Sequence, residues 1–220
     1  MVDNNIIYTS DRKEILPYVP KIKGRILDVG CSTGNFSRLL KDKWECEVHG
    51  IEVNPKAAEI ASDKLDKVFC GDAVEVLAEV PGNYYDLVTM NDVLEHLVNP
   101  NDFLNGLHQK LSPTGIIFAI VPNIRYHKAL AKILYQKEFE YEDEGIFDRT
   151  HLRFFTKKSI KRMFEECNYD EIDYFGINST SSLRPWLLNL LTFGGFGNDT
   201  RYLQYAFIGK SKKTNTSIIE

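Results

Sequence analysis

Residues 24–40 read GRILDVGCSTGNFSRLL, and this stretch decides the fold. The run 26–29 has the apolar character of a buried strand, Gly30 and Gly34 punctuate the turn that follows, and a helix is expected to begin near Asn35. Glycine reaches positive φ at little cost and lets a ligand approach the main chain without interference from a Cβ. The amides at the start of the helix then offer donors and positive potential to an anionic or carboxylate-bearing ligand. Two common nucleotide patterns do not fit. Counting G-x-G-x-x-G from Gly30 places Ser32 and Asn35 where glycines belong, and no GK[ST] follows for a phosphate-cradling loop.

Outward from this turn, short apolar runs alternate with helical patterns. Strands are expected at Arg25–Val29, Glu47–Glu52, Lys67–Cys70, 86–90 and 115–121, each bounded by Gly, Asp or Pro. Asn54-Pro55 reads as an N-cap before a helix-opening proline, and Leu104, Leu107 and Leu111 recur at helical spacing. Such alternation predicts a doubly wound α/β sheet. After Pro122 the pattern breaks. The segment 123–155 holds one expected helix at 127–135 and the acidic-aromatic run EFEYEDEGIFD, and is read as an insertion over the carboxyl ends of the strands, where open sheets bind ligands. Thr156 is expected to cap a helix running to Cys167, and strands at 171–175 and 203–209 close the fold around an apolar helix at 186–191.

The 220 residues, 43% of them hydrophobic, suffice for a sizeable core and exclude wholesale disorder. A net charge of -4 gives no global pull toward nucleic acid or an anionic membrane. Cys31, Cys46, Cys70 and Cys167 are scattered, with no CxxC pair, and are expected to be reduced. The polar N-terminus lacks a signal-peptide core, and the longest apolar stretch, 185–196, is shorter than the ~20 residues of a spanning helix, so a cytoplasmic protein without a transmembrane segment is expected.

What remains at the turn is Asp28-x-Gly30-x-Ser32-x-Gly34, which resembles motif I of class I S-adenosylmethionine-dependent methyltransferases, with Ser32 in place of the usual middle glycine. Glu52, ending an apolar strand 22 positions after Gly30, stands where a ribose-binding acid belongs, since one carboxylate can accept from both ribose hydroxyls. Asp72 in VFCGDAVE and Asn91 in YYDLVTMNDVLEHLVNP complete four ordered matches, the last resembling the "vLEH" subgroup. The resemblance implies a Rossmann-like seven-stranded sheet in the order 3-2-1-4-5-7-6 with its last strand antiparallel. It implies one methyltransferase domain over residues 1–212, with 213–220 a flexible tail. It also implies S-adenosylmethionine as cofactor and S-adenosylhomocysteine as product, held by Asp28, Gly30, Cys31, Gly34 and Asn35 of the first turn, Glu52 and Val53 of the second, Asp72 and Ala73 of the third, and Asn91, which borders the methionine moiety. Arg12 could match an arginine that contacts the cofactor carboxylate in ubiquinone-pathway relatives. DRTHLRFFT with the preceding Gly145-Ile146-Phe147 is similar to methyltransferases of surface-polysaccharide gene neighbourhoods.

The expected reaction moves a methyl to a hydroxyl of a small-molecule or glycan-type acceptor by in-line displacement, and a homodimer is compatible with the apolar 186–191. A hydroxyl is protonated at pH 7, so a base is needed, and His96 or His151 is the candidate. A structural role competes for each: His96 bonded to a nearby backbone carbonyl, His151 pinning the insertion. Asp92-x-x-Glu95-His96, read as the start of a helix, resembles an E-x-x-E-H set that binds a divalent ion in some O-methyltransferases, and His151 could add a ligand. With Asp in the first position, a site without metal is expected, and nucleic acid is not an expected substrate. The alternatives are a metal-assisted O-methyltransferase, a protein that binds S-adenosylmethionine without catalysis, and a dinucleotide-binding module.

Overall fold

The computed structural model describes residue 7 and residues 9–212. The expected tail at 213–220 lies outside the described residues. Among the described residues seven strands and seven α-helices follow one another: β1 Arg25–Val29, α1 Asn35–Trp44, β2 Glu47–Glu52, α2 Pro55–Ser62, β3 Lys67–Cys70, α3 Ala73–Val76, β4 Tyr85–Asn91, α4 Pro100–Leu107, β5 Leu111–Pro122, α5 His127–Leu134, α6 Lys157–Glu166, β6 Tyr169–Ser179, α7 Arg184–Leu191 and β7 Tyr202–Ser211. They form one sheet in the order β3-β2-β1-β4-β5-β7-β6. Pairing is parallel from β3 through β5, and β7 runs antiparallel to both β5 and β6. This is the expected Rossmann-like sheet.

Period-2 alternation divides the core into two layers. Leu27, Val29, Val88 and Met90 face one side of the sheet with Leu104, Leu107 and Phe164. Ile26, Val48, Leu87 and Phe118 face the other with Phe36, Leu40 and Trp44, which recur every fourth residue along α1. Asn54 caps α2 by accepting from the amides of Lys56 and Ala57 ahead of Pro55 at the first turn. Thr156 and Ser159 form a reciprocal capping box on α6.

Two local expectations are corrected. Leu111 does not continue the helical face of Leu104 and Leu107; α4 stops at Leu107, and Leu111 opens β5 opposite Tyr85, with a register shift before Leu87. Three apolar residues at helical spacing cannot reveal that the chain turns at 108–110 between them. The segment 92–98 is a turn rather than a helix start, because Asp92 holds φ at +54° and α4 begins only at Pro100.

Because β1, β2, β4 and β5 are parallel, the turns after them all open at one edge of the sheet. β6 ends and β7 begins at that same edge, with α7 between them, and α5 follows β5 there. Among the described residues no helix is long and apolar enough to cross a membrane.

Candidate functional site

The glycine turn is held to β2 by the Gly30 and Cys31 amides, which donate to the Ile51 carbonyl at 2.8 and 3.0 Å. Gly30 and Gly34 take φ of +71° and +73°, and a Cβ on Gly30 would lie 2.8 Å from Val93 Cγ2. Ser32 also sits at positive φ, +48°, the conformation that makes glycine common at its position. The Glu52 carboxylate secures it: the Ser32 amide donates to Oε2 and the Asn54 amide to Oε1, both at 2.8 Å. Glu52 thus ties the first turn to the second, and each oxygen keeps a further lone pair for another donor. Val53 stands between Glu52 and Asn54 in this second turn.

Asp28 lies beneath the turn rather than in it. It is 2% exposed, and its carboxylate accepts from the Ser37 hydroxyl of α1 and, at 2.6 Å, from the Thr89 hydroxyl of β4. Burial pushes its pKa up to about 6 despite these two donors. Cys31 is buried, its Sγ against Gly50, and desolvation pushes its thiol well above the ordinary range, so its contribution to the turn is the backbone. Asn35 opens α1 and bridges segments: its Nδ2 donates to the Thr9 carbonyl at 2.7 Å, and its Oδ1 accepts from Lys64 Nζ.

Asp72 caps α3, accepting from the Val74 amide at 2.9 Å, with Ala73 the first residue of that helix. Asn91 closes β4 with its Oδ1 buried and without a hydrogen-bond partner. Arg12 pairs with Asp92 at 2.7 Å and with Glu14 at 2.9 Å. Asp92 also accepts from Gln204 Nε2 of β7 at 2.7 and 2.8 Å. No motif singles out Gln204. Its one signal is a polar residue at a buried position in the strand YLQYAFIGKS.

The two histidines meet. Their rings lie 4.8 Å apart between centroids, close to Glu95. The Leu152 amide donates to the Glu95 carbonyl, and Arg153 donates to the carbonyls of Leu97 and Val98, which fastens DRTHLRFFT to the turn after β4. His151 Nδ1 faces the Ile146 carbonyl at 2.9 Å, and His96 Nδ1 faces the Thr150 carbonyl at 3.2 Å. A carbonyl can only accept, and the Thr150 hydroxyl, 3.0 Å from His96 Nδ1, already donates to Asp148 Oδ1 at 2.6 Å, so both Nδ1 atoms donate and in the neutral rings the lone pairs fall on Nε2. His151 Nε2 stands 3.9 Å from Glu95 Oε1. Glu95 is 1% exposed with neither oxygen hydrogen-bonded. Desolvation, then the Asp92 charge, hold its carboxyl well above the usual range. Desolvation, then His151, hold His96 below the ordinary imidazole value.

Glu52→Ala removes the acceptor of two turn amides as well as a lone-pair surface, and is expected to weaken S-adenosylhomocysteine binding by about 10- to 100-fold, or roughly 1–3 kcal/mol. Titration calorimetry checks this, and unchanged affinity would take Glu52 out of the site.

A family model described as a methyltransferase domain matches residues 7–173. The mitochondrial ubiquinone biosynthesis O-methyltransferase of Schizosaccharomyces pombe is 25% identical, covering 81% of this chain and 66% of the relative. The ubiquinone biosynthesis O-methyltransferase of Nitrosospira multiformis is 27% identical over 70% of this chain and 65% of its own length. The chain spans about a third to two-thirds of the length of the curated relatives it matches. Among solved structures, a SAM-dependent methyltransferase from Archaeoglobus fulgidus shares the fold at a TM-score of 0.70 and 20% identity, covering 90% of this chain and 91% of that one. With the family model covering the sheet through β5, α6 and the first part of β6, the chain belongs to the methyltransferase domain family.

Proposed function

We propose that the protein moves a methyl group from S-adenosylmethionine to a hydroxyl of a small-molecule or glycan-type acceptor, with His151 as base. The single observation that carries this is the His96–His151–Glu95 cluster seated on the turn directly after Asn91. The cluster follows, within a few residues of the chain, the Asn91 that the family resemblance assigns to the methionine end of the cofactor, which supports its two imidazoles as proton acceptors. Family membership, and relatives named as O-methyltransferases, support oxygen as the accepting atom.

The bound cofactor supplies the electrophilic methyl and its leaving group, so this chain's residues align the acceptor, exclude water and take a proton. Glu52 would accept from the ribose hydroxyls, and the unpartnered Asn91 Oδ1 would accept from the methionine ammonium. Arg12, now paired with Asp92, would reach the carboxylate of the same moiety. The Asp72 carboxylate would accept from the adenine amine. The acceptor hydroxyl gives its proton to His151 Nε2, while the Nδ1 proton stays hydrogen-bonded to the Ile146 carbonyl and holds the ring in place. Residues 123–155 are read as the acceptor-covering part of a domain spanning 1–212. Mass spectrometry of metabolite and glycan pools incubated with the protein and cofactor tests the reading. One compound should gain a methyl as S-adenosylhomocysteine forms. Binding of NAD but not of S-adenosylhomocysteine would overturn it, and cofactor binding without any methylated product would leave the non-catalytic alternative.

A second reading, metal assistance, is favoured by one observation. Glu95, His96 and His151 bring one ligand atom each within 4.8 Å of one another. Both imidazoles turn a lone pair from Nε2, and the buried carboxylate has no hydrogen-bond partner, so the residues fit a divalent cation. Asp92 is committed to Arg12 and Gln204 and stands outside this set. A cation there would polarise the acceptor hydroxyl, and His151 would then ligate instead of acting as base. Micromolar Zn2+ or Mn2+ binding, lost in Glu95→Gln, is the expected result of this second reading. Methyl transfer that survives exhaustive chelation would remove it.

A further inference from the structure

The stretch 142–151 folds on itself around one acid. The Glu142 amide donates to the Phe147 carbonyl at 2.8 Å and the Arg149 amide to the Glu142 carbonyl at 3.0 Å, while Gly145 turns the chain between them at φ +89°. Asp148 bridges back to Glu142 and is 5% exposed. Its Oδ1 accepts twice from one residue, from the Thr150 amide at 2.8 Å and from the Thr150 hydroxyl at 2.6 Å. An aspartate that accepts from the amide two positions on forms an Asx-turn, which sets the course of the backbone after it. That short piece of backbone orients both imidazoles. The His151 amide donates to the Asp148 carbonyl at 3.0 Å, and the His151 ring is held by the Ile146 carbonyl. His96, 54 positions before Thr150, meets both the carbonyl and the hydroxyl of that residue.

We propose that Asp148 is a positioning residue of the reaction, whose carboxylate selects the tautomer of His96 through Thr150; this rests on the acceptor site placed above at His96 and His151. A hydroxyl carries one proton. With that proton given to Asp148, Thr150 Oγ1 can only accept from His96, so Nδ1 is the protonated atom and Nε2 is left as a proton acceptor. Without the acid the hydroxyl is free to rotate and donate to Nδ1. The ring then carries its proton on Nε2, the atom the reaction needs bare. The Thr150 carbonyl opposes that exchange, but at 3.2 Å it is the longer of the two contacts to Nδ1, against 3.0 Å for the hydroxyl. The nitrogen a histidine leaves unprotonated is set by the partner of its other nitrogen, and here that partner is set in turn by Asp148. The same carboxylate fixes the turn from which His151 faces His96, with 4.8 Å between the ring centroids. One acid thereby serves both rings, although it touches neither in the contacts that orient them.

Nitrogen NMR of the full chain carrying isotope-labelled histidine, at about pH 8 where imidazole is neutral, reads the tautomer of each ring. The His96 signal is assigned by its loss in His96→Gln. The wild type should show a protonated Nδ1 and a bare Nε2 on His96. Asp148→Ala should move at least half of the His96 population to the opposite tautomer. Asp148→Asn keeps the acceptor oxygen, and Thr150→Val removes the competing donor while keeping the carbonyl, so each should retain the wild-type tautomer. The double variant Asp148→Ala, Thr150→Val should regain it, which a general loosening of the loop would not produce. Asp148→Ser, whose oxygen can still form the turn, should shift the tautomer in the same direction and carries the test if the alanine variant does not fold. With a methylated acceptor in hand, Asp148→Ala should also lower kcat by about 10- to 100-fold at unchanged S-adenosylhomocysteine affinity, and Asp148→Asn should recover it. A wild-type His96 protonated on Nε2 would overturn the proposal. So would an unchanged tautomer in both Asp148→Ala and Asp148→Ser, or a double variant that stays shifted. The tautomer is read without methyl transfer, so the role of Asp148 and the proposed reaction fail separately.

Discussion

Replacing His151 with alanine is expected to lower kcat about 10²- to 10⁴-fold, the range for loss of a positioned base, with little change in cofactor binding. The expectation follows from how the ring is held. The Ile146 carbonyl takes the Nδ1 proton and leaves Nε2 as the basic atom, in a site nearly closed to water. His96 sits 4.8 Å away between ring centroids and has the same tautomer, so His96→Ala provides the comparison. A larger loss for His151 assigns it as the base. Steady-state kinetics with the acceptor found by mass spectrometry, beside urea denaturation of each variant, separate chemistry from folding. Loss of stability with kcat intact would reduce His151 to a pin that holds residues 146–151 together.

Asp28→Ala is expected to destabilise the fold by about 2–4 kcal/mol at pH 4, because it strands the buried hydroxyls of Ser37 and Thr89 at the junction of β1, α1 and β4. Asp28→Asn keeps one acceptor oxygen and isolates the charge. The folded pKa is raised to about 6 from an ordinary value near 3.8, so between these pH values the folded chain holds the proton that the unfolded chain has lost. Stability from this group is therefore fully present below about pH 4 and lost as pH rises through about 6, by on the order of 3 kcal/mol. The difference in unfolding free energy between wild type and Asp28→Asn should change by that order between pH 4 and 7, favouring the asparagine variant at the higher pH. A flat difference would mean that Asp28 ionises as freely in the folded chain as in the unfolded one.

The parts of the site that a local pattern carries are legible in the sequence alone. Gly30, Gly34 and Glu52 stand where the strand–turn–helix unit and the next strand end place them, because short-range sterics dictate the glycines and strand length dictates the acid. The bounds of β1, β2 and β3 agree with the expected runs residue for residue; β1 and β2 are buried on both faces and read as near-continuous apolar segments, whereas β3, half exposed at the edge, is bounded by the following Gly71-Asp72 turn. Asp72 caps α3 in this structure, and an isolated aspartate before a helix cannot reveal from sequence whether it also faces a ligand. The helix expected at Asp92 does not form because Gln204, 112 positions away, and Arg12, 80 positions away, hold that carboxylate beside a left-handed backbone.

By itself the sequence determined the alternation of strand and helix, the glycine turn and its acidic partner, because these depend on interactions within a few residues or on the apolar period. Only the tertiary structure decided three further matters. It joined Glu95 to His151 across 56 positions through the Leu152 amide and the carbonyls that hold Arg153. It oriented both imidazoles by carbonyls no motif contains. It turned Trp186, Leu187, Leu190 and Leu191 of α7 outward. Periodicity shows that a helix has an apolar face, but the packing of the rest of the chain chooses what that face meets.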